Sequence, residues 1–173
     1  MICDDFIRES PQREGKLVMI VRRPRVGVRE VLDTAELDLL DGLVGDIWKM
    51  RRSWKTRDGK PHPDMQITMI NARVLELLKR DRDQWTLAGD QLVVDLDLSV
   101  ENLPTGTQLA IGSARVEVTA EPHTGCKKFA AHFGVDAVKW VNSPIGRQLR
   151  LRGLNGRVIQ SGWITVGDVV KKM

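Results

Sequence analysis

The chain has 173 residues, of which 42% are hydrophobic and 29% are charged, the balance of an ordinary globular protein. That length suits one domain with a sizeable core, and no apolar run approaches the roughly 18 residues that a membrane helix needs. The net charge of +4 allows an anionic ligand or nucleic acid, although a solvated basic surface also accounts for it. We therefore predict a single domain over residues 1–173 with no membrane partner.

The amino-terminal stretch and the cysteine count bear on the cellular compartment. Residues 1–15 lack the charged-then-apolar pattern of a signal peptide, and we predict a loosely ordered leader before a domain core at about residues 17–170. Cys3 and Cys126 are too few for a disulfide framework or a zinc site, and two free thiols suit a reducing compartment. We therefore expect a cytoplasmic protein.

The first third of the chain predicts a buried strand and a long basic loop. Residues 16–22 form a short apolar run rich in β-branched side chains, which favours a strand, and residues 28–32 predict a short helix. Residues 48–63 carry six basic side chains together with Trp48 and Trp54. Such a loop suits single-stranded nucleic acid or an anion-binding lid, but we favour a solvated loop and do not expect nucleic acid as a partner.

The remaining two thirds predict many short strands, with most helices placed late in the chain. The predicted strands are residues 65–69, 89–96, 109–111, 114–120, 156–160 and 163–166, with hairpin turns at 112–113 and 161–162. The predicted helices are residues 71–79 with Asn71 as the N-cap, one that runs from the cysteine to Gly134, one that begins at Asp136, and one with Ser143 as its N-cap. Because helices do not alternate with strands, we predict a mainly β (α+β) fold: a closed or strongly curved antiparallel β-barrel with a few short inserted helices.

Cys126 lies where a predicted strand ends and a predicted helix begins. Residues 114–120 alternate apolar and polar side chains, and Thr124 suits an N-cap, so the cysteine would lie in the first helical turn. The helix dipole and two following lysines favour a thiolate there, which is a sulfur nucleophile, a persulfide carrier or a soft-metal ligand. The alternative is a small buried side chain behind Phe129.

Four sequence patches occur in an order that resembles a known family. They are GLVGD at residues 42–46, QITMI at 66–70, GDQLVV at 89–94 with LPTGTQLAIG at 103–112, and VEVT at 116–119 leading to Cys126, with RV at 157–158 and VGD at 166–168 closing the series. This series resembles the MOSC domain, the module named for the C-terminal part of molybdenum cofactor sulfurases.

The resemblance implies a β-rich, barrel-like fold and a role around the molybdenum cofactor, an anionic pterin. One implied activity is sulfur transfer, with a cysteine desulfurase or a molybdoenzyme as partner, and the other is the reduction of N-hydroxylated compounds. Cys126 is the matched cysteine and would carry sulfur or ligate molybdenum. Pyridoxal phosphate is associated with the family through a separate domain of full-length sulfurases, and we do not expect these 173 residues to bind it.

Basic side chains are the candidates for holding the phosphate of such a cofactor. They are Lys127, Lys128, Arg73, Arg152 and Arg157, each of which is otherwise a surface charge. An alternative function also stays open, that of a non-catalytic barrel that binds an anionic small molecule or a partner protein.

Three further polar residues have two interpretations each. His123 is a catalytic candidate beside Cys126, where it either sets the protonation of the thiol or faces solvent in a turn. Asp46 either orients a basic residue at the cofactor site or completes a turn. Glu121 is either a proton relay or an exposed carboxylate at a strand end.

Overall fold

Eleven strands and five short helices make up the computed structural model, which describes residues 2–79 and 81–173. The strands are β1 (Glu14–Arg22), β2 (Glu30–Leu32), β3 (Thr34–Asp38), β4 (Gly42–Leu43), β5 (Ile67–Asn71), β6 (Leu92–Asp95), β7 (Gln108–Ile111), β8 (Ala114–Val118), β9 (Leu154–Gln160), β10 (Gly162–Thr165) and β11 (Val169–Lys172). The α-helices are α1 (Ile2–Arg8), α2 (Ala72–Leu78), α3 (Lys127–Phe133), α4 (Val135–Asn142) and α5 (Pro144–Gln148). Three 3-10 helices span Ile47–Met50, Pro63–Met65 and Arg82–Ala88. None of the helices in the described part is long and apolar enough to cross a membrane.

Seven strands close into a barrel in the order β1, β11, β7, β8, β9, β5, β6 and back to β1. Strand β1 completes the ring because its first residues pair with β11 and its middle residues pair with β6. Its last residues pair with β2, which lies outside the ring. The pairings in the described part are antiparallel except that of β5 with β6, which is parallel. The predicted barrel with a few inserted helices is therefore confirmed, as a ring of mixed direction. Strands β10, β3 and β4 form a separate three-stranded sheet.

Consecutive residues of the barrel strands pack into two different apolar clusters. Ile20 and Met69 belong to the cluster that fills the barrel interior, whereas their chain neighbours Val21 and Ile70 belong to a second cluster under the helices. Both faces of these strands are therefore buried, which explains why their sequences are continuous apolar runs. Helix α2 covers this outer face, and the side chain of Asn71 caps its first turn by accepting from the N–H of Arg73 at 2.9 Å, as predicted.

Three local predictions are wrong. The stretch predicted as a loose leader forms α1 and the first residues of β1, and Ile7 is buried against the outer cluster. Residues 28–32, predicted as a helix, contain β2, because the pairing of Glu30 with Arg22 continues the sheet past β1. The predicted closing hairpin of residues 156–166 does not form, since β9 pairs with β5 and β8 whereas β10 pairs with β3.

The turn between β7 and β8 holds the small sheet on the barrel. Gly112 has φ +54, and a Cβ there would lie 2.2 Å from the carbonyl oxygen of Trp163 in β10. The neighbouring Ser113 exchanges hydrogen bonds with the backbone of Trp163, accepting from its N–H at 2.8 Å and donating its own N–H to the carbonyl at 3.1 Å.

We predict that Gly112→Ala destabilises the protein by about 2–4 kcal/mol, because a strained φ and a backbone clash add together. Gly106→Ala is the matched control: this glycine also has positive φ, but a Cβ there meets no atom within 4 Å. The control should cost about 1–2 kcal/mol. Urea unfolding monitored by tryptophan fluorescence measures both, and equal losses would contradict the close approach of the two sheets.

Candidate functional site

A cleft of about 400 Å³ opens beside the barrel, between the loop that follows β4 and the segment that leads into α3. Its lining brings together basic side chains, three histidines and one thiol. The lining includes Arg23, Arg29, Arg51, Arg52, His62, His123, Cys126, Lys128, Arg152 and Asn155. Neither Asp nor Glu occurs in the lining among the described residues. The surface of this cleft is therefore cationic.

Arg23 is held in the cleft by a carboxylate buried behind it. Asp46 accepts from Arg23 Nε at 3.0 Å and Nη2 at 2.8 Å, and also from the backbone N–H of Arg23 at 2.8 Å. Arg23 Nη1 donates to the carbonyl of Gly89 at 3.1 Å. This bidentate contact with Asp46 fixes the plane of the Arg23 guanidinium.

Asp46 also ties this pair to the barrel. Its Oδ2 accepts from Gln91 Nε2 at 3.1 Å and from the N–H of Trp48 at 3.1 Å, the latter contact capping the 3-10 helix. Gln91 is fully buried, and its Oε1 in turn accepts from the N–H of Thr68 at 2.7 Å. Burial by itself raises the pKa of Asp46, but the hydrogen bonds and charge of Arg23 outweigh it, so the pKa lies below its ordinary value.

A second buried carboxylate, Asp90, holds two more side chains of the cleft. Arg152 Nη1 donates to Asp90 Oδ2 at 2.6 Å, and His123 Nε2 lies 2.8 Å from Asp90 Oδ1. Burial raises the pKa of Asp90, and the charge of Arg152 with the contact to His123 brings it below its ordinary value. Arg152 also lies 4.8 Å over the ring of Phe129, which is the buried residue of α3.

His123 lines the cleft as a neutral imidazole. Burial lowers its pKa, and the nearby charge of Arg152 lowers it further, which together outweigh the opposite effect of Asp90. With Nε2–H donated to Asp90, the other ring nitrogen, Nδ1, is the acceptor of the neutral ring. The side chain predicted either to face solvent or to act beside the thiol is thus largely buried and oriented by its hydrogen bond to Asp90.

Four basic side chains of the cleft make no ion pair with any described residue: Arg29, Arg51, Arg52 and Lys128. Burial lowers the pKa of Arg51, and the charges of Arg23 and Arg29 lower it further against the effect of Asp46. Three buried polar atoms of lining residues also have no hydrogen-bond partner, namely Arg29 Nε, Arg152 Nε and Asn155 Oδ1. Unpaired cations with unused donors are suited to an anionic ligand.

Cys126 lies at the N-cap of α3 and not in its first turn, which corrects that part of the sequence prediction. Its thiol is free and exposed, and the alternative of a cysteine buried behind Phe129 is therefore wrong. The residue before it is clamped to α4, because Asn142 accepts from the N–H of Gly125 at 2.8 Å and donates to its carbonyl at 3.0 Å. The side chain of Cys3 lies outside the described part of the chain.

The predicted site residues fall into three groups. Cys126, His123, Lys128 and Arg152 line the cleft, and Asp46 lies directly behind it. Lys127 is exposed next to the cysteine and does not line the cleft.

Arg73 and Arg157 are paired elsewhere. Arg73 donates to Asp95 at 2.9 Å and to the carbonyl of Phe6 at 3.0 Å, on the face covered by α1. Arg157, on β9, donates to Glu117 at 2.8 Å. Their prediction as cofactor contacts is not supported by this placement.

Sequence reasoning missed several basic lining residues. Arg51 and Arg52 lie in the basic stretch of residues 48–63, for which the sequence favours a solvated loop. The high density of basic residues in that stretch is the sequence feature that could have identified them as cleft residues. Arg23 and Arg29 gave no local signal, because only the fold brings the turn after β1 against the cysteine segment. Asn155 lies inside β9 and is likewise placed by pairing alone.

The described residues define a closed β-barrel protein with a cationic cleft beside an exposed thiol. The family model of the MOSC domain matches residues 56–171, about two thirds of the chain, and the chain belongs to that family. The resemblance seen in the sequence is thereby confirmed. The match begins after β1, although β1 closes the barrel.

Solved structures with low sequence identity share this fold. The YUAD protein from Bacillus subtilis has a TM-score of 0.63 and 15% identity, over 92% of this chain and 95% of that one. YiiM from Escherichia coli has a TM-score of 0.57 and 19% identity, over 91% of this chain and 69% of that one. YiiM from Geobacillus stearothermophilus has a TM-score of 0.61 and 15% identity, over 92% and 75%. No curated protein sequence matches the chain.

We predict that Asp46→Asn costs about 3–5 kcal/mol of unfolding free energy, because it leaves Arg23 buried without its counter-charge. Asp41→Asn is the control, since the exposed pair of Asp41 with Lys49 should contribute at most about 1 kcal/mol. Urea unfolding at neutral pH measures both variants, and equal effects would contradict a buried structural role for Asp46.

The same variant should change the acid limb of stability. The pKa of Asp46 is lower in the folded than in the unfolded state. Its stabilisation is therefore fully present above the unfolded pKa of about 3.9 and is lost as the pH falls through the folded pKa. Unfolding free energy measured from pH 7 down to pH 2 should consequently fall less steeply for Asp46→Asn than for the unsubstituted protein. Parallel curves would show that Asp46 does not titrate at a depressed pKa.

Proposed function

We propose that this MOSC-family protein binds the molybdenum cofactor in the cationic cleft and acts through Cys126. One observation carries the proposal: the exposed thiol lines the same cleft as four cationic side chains without a counter-charge. An anionic pterin that carries a phosphate and a thiol-seeking metal matches both halves of this site. We further propose a cytoplasmic location, where a free thiol persists.

The residues present fit such a cofactor. Arg29 and Arg152 offer guanidinium nitrogens without partners, and Asn155 offers an unpaired oxygen to ring or chain donors of a pterin. No group of three or more His, Cys, Asp or Glu side chains in the described part is arranged to hold a metal ion. A metal bound here would therefore be held mainly by its own organic ligand. Cys126 would be the sulfur ligand that the protein contributes.

The chain's own groups have separate roles in this proposal. Arg29, Arg51 and Arg52 would hold the phosphate, and Arg23 and Arg152 would give the cleft a fixed shape because Asp46 and Asp90 hold them in place. His123 presents a neutral ring with Nδ1 as the acceptor, and Cys126 supplies the exposed sulfur. When bound, the molybdenum cofactor would supply the two-electron chemistry that reduces N-hydroxylated compounds.

Sulfur carriage is the other activity that the same thiol supports. The thiolate of Cys126 would attack the outer sulfur of a persulfide on a partner cysteine desulfurase, the donor's S–S bond would break, and the donor thiolate would leave. A molybdoenzyme would then receive the sulfur. We expect no pyridoxal phosphate on this chain, because the donor enzyme would supply that chemistry.

A second candidate function is favoured by the same unpaired cations. A barrel without catalytic activity would hold an anionic small molecule or an acidic partner protein in this cleft. Purified protein that carries neither molybdenum nor pterin nor persulfide, yet binds phosphate, would support this candidate over the first.

We predict that Cys126 reacts readily with iodoacetamide in the folded protein. In a Cys3→Ser background Cys126 is the single thiol, so mass spectrometry of the alkylated protein follows it alone. The rate should change little when the protein is unfolded in urea, since the thiol is already exposed. A thiol that reacts only after unfolding would contradict its role in both sulfur transfer and metal ligation.

We predict that the protein produced in a host that makes the cofactor carries molybdenum and that Cys126→Ser loses most of it while keeping its melting temperature. Metal analysis by mass spectrometry measures the bound molybdenum, and pterin fluorescence after acid extraction measures the organic part. Arg51→Gln should lower both, since it removes one unpaired cation of the cleft. Arg157→Gln is the matched control outside the cleft, and an equal loss in both arginine variants would contradict the site.

A further inference from the structure

One carboxylate connects the two walls of the cleft. One wall is the basic loop, residues 51–62, from which Arg51, Arg52 and His62 line the cleft. The opposite wall is the segment of residues 119–126, which ends in the reactive thiol. Glu121 lies in that segment, and its side chain reaches across to the basic loop at two points.

The first point is a charge-assisted hydrogen bond from Lys55. The ammonium of Lys55 donates to Glu121 Oε2 at 2.7 Å, and both side chains are only partly exposed. Lys55 also lies 5.7 Å over the ring of Trp54, whose own side chain is exposed. The tip of the basic loop is therefore held by one short ionic contact.

The second point is His62, at the end of the basic loop. Its Nε2 lies 3.3 Å from Glu121 Oε1, and its Nδ1 accepts from the N–H of Asp64 at 3.2 Å. Because Nδ1 is an acceptor, Nε2 carries the proton and donates to the carboxylate. This contact holds a residue of the cleft lining, and so it bears directly on the shape of the site.

The backbone around Glu121 is itself fixed to the barrel. Asn155, fully buried in β9, donates its Nδ2 to the carbonyl of Glu121 at 3.1 Å. The hydroxyl of Thr119 donates to the carbonyl of Asp64 at 2.5 Å, just beyond the basic loop. The carboxylate is thus mounted on a rigid support, whereas residues 51–62 contain neither helix nor strand.

We propose that Glu121 is a positioning residue that holds the basic loop against the cysteine segment and thereby sets the affinity of the cleft for its anion. This inference rests on the proposed function for the identity of the ligand, but not for the contacts themselves. Glu121 does not line the cleft, so it would act through Lys55 and His62 and not by contact with the ligand. The alternative of an exposed strand-end carboxylate is not supported, because the side chain of Glu121 is only partly exposed and contacts Lys55 and His62.

The test compares Glu121→Gln with Glu117→Gln. Glu117 is also partly exposed and paired, with Arg157 on the neighbouring strand, but it has no contact with the basic loop. Partly exposed ion pairs contribute little to global stability, so both variants should melt within a few degrees of the unsubstituted protein. Local release of a loop is nevertheless visible as faster proteolysis.

Trypsin reports on the loop directly, because Arg51, Arg52, Lys55 and Arg57 are cleavage sites within it, whereas Pro61 blocks cleavage after Lys60. We expect Glu121→Gln to speed the first cut in this loop about fivefold and to weaken the binding of inorganic phosphate by a similar factor, measured by calorimetry. Glu117→Gln should change neither. Unchanged cleavage in Glu121→Gln would overturn the proposal, and so would faster cleavage with unchanged phosphate affinity.

A charge exchange gives an independent check on the contact. Lys55→Glu and Glu121→Lys each place like charges together, whereas the double variant restores an opposite-charge pair. Cleavage after Arg51, Arg52 and Arg57, the sites that all these variants keep, should be slower in the double variant than in either single variant, and equal rates at these sites would contradict a direct contact. Failure of the unsubstituted protein to bind phosphate or molybdenum would instead contradict the proposed function, while the cleavage rates alone decide whether Glu121 holds the loop.

Discussion

The cleft depends on one buried carboxylate, that of Asp46. It accepts five hydrogen bonds, three from Arg23 and one each from Trp48 and Gln91. These contacts join the end of β1, the start of the loop after β4, and the point where the parallel strands β5 and β6 begin to pair. A buried charge is tolerated only when it is compensated in this way, so the position of the arginine and the closure of the barrel are coupled.

The distribution of charge follows from this arrangement. Asp46 and Asp90 compensate the two most buried arginines of the cleft, and the remaining cations of the lining make no ion pair within the described part of the chain. Like charges held together in a partly buried cleft raise the energy of the unliganded protein: burial lowers the pKa of Arg51, and the charges of Arg23 and Arg29 lower it further. An anion would relieve that repulsion, which is why the site suits a phosphate-bearing ligand better than a neutral one.

Sequence reasoning predicted the parts of the structure that rest on local pattern. The apolar run of β1, the cap at Asn71, the hairpin of β7 and β8, and the cap at Ser143 all depend on residues that are close in the chain, and each is confirmed. The sequence does not reveal which strands pair with each other. The alternation between two apolar clusters reveals that a strand is buried on both faces, but not which neighbour it pairs with.

The candidate site shows the same division. Cys126, His123 and Lys128 lie in one short segment, and the sequence predicts all three as site residues. Arg23, Arg29 and Asn155 enter the cleft through contacts between residues far apart in the chain, which composition and spacing do not encode. The sequence predicts Arg73 and Arg157 as cofactor contacts because it shows the charge of a basic side chain but not the carboxylate that pairs with it.

The closure of the barrel has a kinetic consequence. Glu14 in β1 lies opposite Lys171 in β11, so the ring is completed only when segments from both extremes of the sequence meet. Contacts at such separation slow the search for the native state, and the parallel pair of β5 and β6 adds a further connection that must form across a helix. We expect a slow folder whose incomplete barrel exposes strand edges during synthesis, a state in which molecular chaperones would find their binding sites.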